Sequence, residues 1–213
     1  MLIAGAGGFA KELIETVLQC DPDAQPVFFD DQTSELPELF LDRFEIFRNR
    51  EKAKEYFASA DSAFALGIGD PKGRKKMFDI FLKLGGKPTA VISPGASIGA
   101  INNSMGEGLT MLSNAVIETN NTIGKGVLVH VGALISHDVT IGDFCEISPH
   151  VSLLGNVRVG NMCRLGAACT VLPGVKIGNN IIIGAGSVVT RDVADNTLVV
   201  GVPGRIVRHL EGL

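Results

Sequence analysis

Four histidines, His130, His137, His150 and His209, are the natural proton carriers of this chain near neutral pH. His137 is set apart by its neighbours, because Ser136 precedes it and Asp138 follows it. A general base needs a partner that orients its ring and stabilises its charged form, and an adjacent carboxylate can do both. The other three have weaker claims. His130, seven residues earlier, is expected to face outward and either share the cleft or lie on the surface. His150 reads as structural or interfacial. His209 closes a basic stretch from Arg205 that would meet phosphates or simply be solvated.

The elements that must position His137 are announced by a six-residue beat. Every sixth residue from Met111 through Ile117, Ile123, Val129 and onward to Val189 is aliphatic or Met. The pairs Ile123-Gly124, Ile141-Gly142, Val159-Gly160 and Ile177-Gly178 recur every eighteen residues. Hexad periodicity marks a parallel β-helix, with eighteen residues forming one triangular coil around the apolar beat. His137 falls where side chains leave the interior at a turn. Gly155, eighteen residues on, should lie over it in the next coil at the usual interstrand spacing of about 4.8 Å. A bare glycine N–H beside a base can receive an oxyanion. Ile98-Gly99 fits a hexad but is one residue off the later beat, which predicts an irregular first coil or an insertion.

Residues 1–88 follow another pattern. Leu2–Ala4, Val27–Phe29 and Ser62–Ile68 read as strands, with a shorter one near Phe44–Phe47 and a last one over Lys87–Ile92. Helices are predicted over Ala10–Cys20, Lys52–Ala58 and Lys72–Leu84, the last started by Asp70-Pro71. Strands alternating with helices imply a parallel sheet. The chain thus divides into a small Rossmann-like α/β domain (1–88) and an all-β parallel β-helix (89–213). Gly5-x-Gly7-x-x-Ala10 sits between the first strand and helix, where backbone N–H groups could hold a phosphate. The same glycines could instead let the helix pack closely. Asp30 and Asp31 end the second strand, placed for a ribose or base. Only one mononucleotide-binding half is present, favouring a nucleotide diphosphate over NAD.

Composition narrows the field. A net charge of −4 argues against nucleic acid as partner. No run approaches a membrane span, and Met1-Leu2-Ile3-Ala4 opens directly as a strand, with no basic leader. Cys145, Cys163 and Cys169 fall on interior positions and read as buried thiols in a reducing cytoplasm, not as disulfides or metal ligands.

Taken together, these residues resemble the bacterial sugar O- and N-acyltransferases of the sialic-acid O-acetyltransferase (NeuD/PglD-like) type. The similarity runs through the Gly5–Ala10 turn, Phe28-Phe29-Asp30-Asp31, Ala65–Lys76, the hexads and Gly201-Val202-Pro203-Gly204-Arg205. It is most specific at Ile135-Ser136-His137-Asp138-Val139-Thr140-Ile141-Gly142-Asp143. The resemblance implies a left-handed coil, a homotrimer with active sites between subunits, and acetyl-CoA as donor. It implies His137 as base, Asp138 as its partner and Gly155 as oxyanion donor. Leu154, Gly166, Ile183, Gly184 and Gly201-Val202-Pro203 would line the pantetheine channel, with Arg205 near a CoA phosphate. Gly7, Gly8, Asp30, Asp31, Gly69 and Arg74 would hold the nucleotide of the acceptor, with His130 nearby.

Two positions depart from that pattern. Phe9 stands where the family turn carries histidine, and His130 where relatives carry asparagine. Both touch the acceptor side and leave the base intact. The expected activity is acetyl transfer to the amino group of a nucleotide-activated amino sugar, with O-acetylation of a sugar such as sialic acid as the alternative. Carbonic-anhydrase-like hexapeptide proteins bind zinc through three histidines that include a pair five residues apart, whereas the gaps here are 7, 13 and 59; no metal is expected. A non-catalytic sugar-nucleotide sensor would fit loss of the His-acid pair, which is present. An NAD enzyme would rest on the glycine turn and Asp30 alone.

Overall fold

The computed structural model describes residues 1–212. Its first part is a six-stranded sheet built from β1 (Leu2–Ala4), β2 (Val27–Phe29), β3 (Leu39–Phe40), β4 (Phe44–Phe47), β5 (Ala63–Leu66) and β6 (Lys87–Pro88), in the order β3-β4-β2-β1-β5-β6. β1 pairs in parallel with β2 on one side and β5 on the other, so all three of its residues are buried. The chain therefore changes direction across the sheet at β1, and the loops after β1 and β5 flank a crevice at the strands' carboxyl ends. Three helices cover the sheet: α1 (Gly8–Cys20), α2 (Arg50–Ser59) and α3 (Pro71–Lys83). Asp70 caps α3 by accepting from Gly73 N at 2.8 Å, with Pro71 in the first turn. β3, an antiparallel partner of β4, was hidden in the polar stretch after Asp31.

The strand expected over Lys87–Ile92 is two strands. Lys87 and Thr89 donate their N–H groups to the α/β sheet, whereas Val91 (in β7, Val91–Ile92) donates to Leu109 in the coils. The backbone changes partner within four residues, and so one apolar run serves two sheets.

From β7 onward the chain is a left-handed parallel β-helix with three walls of two-residue strands. The first wall contains Thr110–Met111, Leu128–Val129, Glu146–Ile147, Arg164–Leu165 and Ile182–Ile183. The second contains Val116–Ile117, Leu134–Ile135, Ser152–Leu153, Thr170–Val171 and Val188–Val189. The third contains Thr122–Ile123, Thr140–Ile141, Arg158–Val159 and Lys176–Ile177. Successive strands of a wall are eighteen residues apart, as at Leu134↔Ser152. The beat residues fill one continuous interior together with the buried thiols of Cys145, Cys163 and Cys169.

Both ends break the period. Ser97 pairs with Val116, nineteen residues on, because one extra residue is accommodated between Ile98 and Met105. There the Asn103 side chain donates to Gly99 O and Glu118 O at 2.7 and 2.6 Å. At the far end Ile182 pairs with Leu198, two residues short of a full coil, and an antiparallel strand, Arg205–His209, closes the first wall.

Candidate active site

His137 lies on the edge between the second and third walls. Its Nδ1 is 2.7 Å from Asp138 Oδ2, and about half of its side chain is exposed. A carboxylate on Nδ1 fixes that nitrogen as the donor and leaves Nε2 as the proton acceptor. Bonds from His137 and Asn120 hold the Asp138 carboxyl below the usual carboxylate range. Ser136 Oγ donates to Glu118 Oε2 at 2.9 Å on the adjoining column.

Gly155 lies directly over the ring. A Cβ placed there would be 2.5 Å from His137 Cε1 and 2.7 Å from Nε2. Asn156 N donates to His137 O at 3.0 Å and ties the two turns together. Among the described residues nothing accepts from the Gly155 N–H. An imidazole with a free nitrogen and an unused backbone donor thus share one edge of the prism.

The second feature is the crevice after β1 and β5, a cleft of about 400 Å³ lined by Gly7, Gly8, Phe9, Asp30, Gly69 and Asp70 among others. Gly7 occupies the cap position of α1 without any side-chain bond, and the first turn holds no acidic residue. Its N–H groups therefore face the cleft uncompensated, which suits an anion. Close packing does not explain Gly7 and Gly8, since a Cβ on either would meet nothing within 4 Å. Burial would raise the Asp30 carboxyl, but donors from Thr33, Gln32 and Ala6 outweigh it and hold it low. Those bonds make Asp30 the organiser of its loop. Asp31 is paired with Arg50 at 3.0 Å. Asp70 also borders a neighbouring groove of about 480 Å³ with Lys72, Arg164, Asn180 and Arg208, which the sequence reading missed.

Three of the expected site residues are buried. Arg74 is fully buried and cannot reach a nucleotide. Its guanidinium donates to Leu66 O, Ile68 O and Gly126 O at 2.8–3.0 Å, pinning α3 and the β5 loop to the coils. Burial pulls its pKa down to about 9, with the charge of Glu146 opposing, so it stays protonated at neutral pH. His130 leaves the coil interior, as expected, but α1 covers it. It is 7% exposed, edge-on to Phe9 with centroids 5.3 Å apart, and 3.7 Å from both Glu12 and Glu146. Ile183 points its side chain into the coil at 1% exposure, which leaves its backbone to face a channel.

Residues 1–81 match the model of the PglD N-terminal domain, and residues 156–191 match that of the bacterial transferase hexapeptide (six repeats). No curated protein sequence matches the chain. A solved structure of a histidine variant of perosamine N-acetyltransferase from Caulobacter crescentus, in complex with CoA and GDP-perosamine, is 30% identical. The match covers 96% of this chain and 95% of that one, with a TM-score of 0.86. The chain belongs to the PglD-like family of sugar acetyltransferases. Similar structures include the acetyltransferase domain of PglB from Neisseria gonorrhoeae FA1090 (25% identity, 97% and 98% coverage, TM-score 0.87). WeeI from Acinetobacter baumannii AYE is 26% identical, with the same coverage and TM-score.

In this sugar acetyltransferase the residues expected on the donor side do not share one edge. Leu154 adjoins Gly155, on the edge of His137. Gly166 and Gly184 follow strands of the first wall and stack on the other edge of the second wall, Gly166 N donating to Ile183 O at 2.8 Å. Gly201, Val202 and Pro203 continue that edge and are exposed, and Arg205 lines a depression of about 270 Å³ with Val189 and Arg191. His130 and the α/β domain also sit on the first-wall side. Among the described residues no helix is long and apolar enough to cross a membrane.

Proposed function

We propose that this acetyltransferase moves an acetyl group from acetyl-CoA to the amino group of a nucleotide-activated amino sugar, with His137 as general base. The observation that carries the reading is the His137 imidazole, bonded by Asp138 at Nδ1 and facing the unused N–H of Gly155. His137 Nε2 takes a proton from the sugar nitrogen as that nitrogen attacks the thioester carbon. The carbonyl oxygen gains charge and is received by the Gly155 N–H. The carbon–sulfur bond then breaks, and the thiolate recovers the proton from the imidazolium. The nucleotide would lie in the crevice at Gly7, Gly8 and Gly69, with its phosphates on the α1 N-terminus.

The site as proposed is shared between subunits. His137, Leu154 and Gly155 occupy one edge of the coil, and the acceptor crevice, Gly166 and Gly184 lie toward another. A coenzyme or acceptor touching both sets would bridge the edges of two neighbouring chains, which favours a closed ring, a homotrimer. The donor is a cytoplasmic metabolite, and we assign the enzyme to that compartment.

The test is thiol release from acetyl-CoA against GDP-, UDP- and dTDP-linked 4-amino sugars, with sialic acid as the hydroxyl acceptor. Turnover with a nucleotide amino sugar alone is the expected result. Turnover with sialic acid alone would transfer the assignment to O-acetylation, and no acetyl-CoA binding would overturn it.

A further inference from the structure

We propose that Asn120 is a positioning residue for the His137 base, its side-chain amide fixing one oxygen of Asp138 so that the other meets the imidazole. The inference rests on the reading of His137 as base. Asn120 lies one coil below Asp138, in the register that pairs Thr122 with Thr140. Both occupy the left-handed region, with φ of 60° and 59°, a conformation in which Asn and Asp are the most tolerant residues with a side chain. Each turn is held by its backbone, Asn120 N to Ile101 O at 3.0 Å and Asp138 N to Thr119 O at 3.1 Å. The two side chains are therefore stacked by the coil itself, and Asn120 Nδ2 donates to Asp138 Oδ1.

That bond completes a line running Asn120, Asp138, His137. A carboxylate held at one oxygen can still swing about its side-chain bonds; held at both, it presents Oδ2 to Nδ1 in one geometry. Because both carboxylate oxygens accept, Asp138 stays ionised and the His137 tautomer with a free Nε2 is selected. The other charged group facing this edge, Glu118, is engaged by Ser136 Oγ. Asn156, at the equivalent turn in the coil above, is uncharged, so Asn120 is the neutral donor between the dyad and the coil below. An aspartate in its place would set two carboxylates against each other.

The experiment uses the full chain with Asn120→Gly, which removes the amide and keeps the turn, and Asn120→Asp, which keeps the shape and reverses the interaction. Nitrogen-resolved NMR of the histidine rings reads the His137 tautomer and titration midpoint without needing an acceptor. We expect Asn120→Gly to mix the tautomers and, with Asp138 no longer held against the ring, to lower the midpoint, whereas the added carboxylate of Asn120→Asp raises it. With a turned-over acceptor, kcat should fall about tenfold in Asn120→Gly at constant KM, and the acid limb should move with the ring midpoint to lower pH. An unchanged tautomer and midpoint in both variants would overturn the proposal, even where stability drops. Turnover retained by His137→Ala would instead overturn the base assignment, so the two failures are separable.

Discussion

Gly155 lies one coil above His137 at a distance that leaves no room for a methyl group against the imidazole. The glycine is required by its neighbour and not by its own backbone, since its φ lies outside the left-handed region. Gly155→Ala should therefore fold normally and displace the ring. We expect kcat to drop on the order of 10²-fold, as for loss of an oxyanion donor or misplaced base, with an unchanged melting temperature. Full activity in Gly155→Ala would contradict the arrangement.

The proposed division of the site between subunits predicts complementation. Gly7→Trp should fill the acceptor crevice, where a side chain meets open space, and His137→Ala removes the base. Each variant alone should be inactive. Denatured together and refolded as mixed trimers, they should recover activity in about one site in four by random assortment. No recovery on mixing would place the whole site within one chain.

Arg74 predicts a stability effect. Arg74→Leu leaves the carbonyls of Leu66, Ile68 and Gly126 without their donor at the seam between α3 and the coils. Hydrogen bonds from a charged group contribute about 1.5–3 kcal/mol each, so a loss of several kcal/mol and a clearly lower melting temperature are expected. Calorimetry of the variant checks this, and a wild-type transition would contradict it.

Acid sensitivity should arise at the same seam. Burial would raise the Glu146 carboxyl, but His130 and Arg164 outweigh it and hold it below the usual range. Arg164 Nε bonds it at 2.6 Å. The folded-state pKa is depressed, so this stabilisation is complete above the unfolded value of about 4.3 and is lost as pH falls below it through the folded value. Melting temperatures measured downward from neutral pH should fall in that window, and Glu146→Gln should flatten the decline. An equally steep decline in the variant would assign the effect to other carboxylates.

The β-helix was legible because its interior repeats: Ile135 fills the interior and ends its strand, His137 falls on the turn that follows, and Gly155, eighteen residues on, stacks over it. The same arithmetic run downward reaches Asn120, a signal present but unused. The exceptions were illegible because they depend on contacts between distant segments. Asn103 accommodates an extra residue by bonding across to Glu118, and the shortened last coil depends on Leu198 finding Ile182. Arg74 reads as a surface helix residue until the coils bury it. His130 reads as outward until α1 is laid over it, bringing Phe9 against its ring.

The role of His137 is tested most directly by comparing the wild type with His137→Ala in thiol release from acetyl-CoA, using a nucleotide 4-amino sugar as acceptor. In the variant kcat should fall by about 10²–10⁴-fold, the contribution of a general base, while acceptor binding measured separately stays the same. A variant that turns over at the wild-type rate would contradict it.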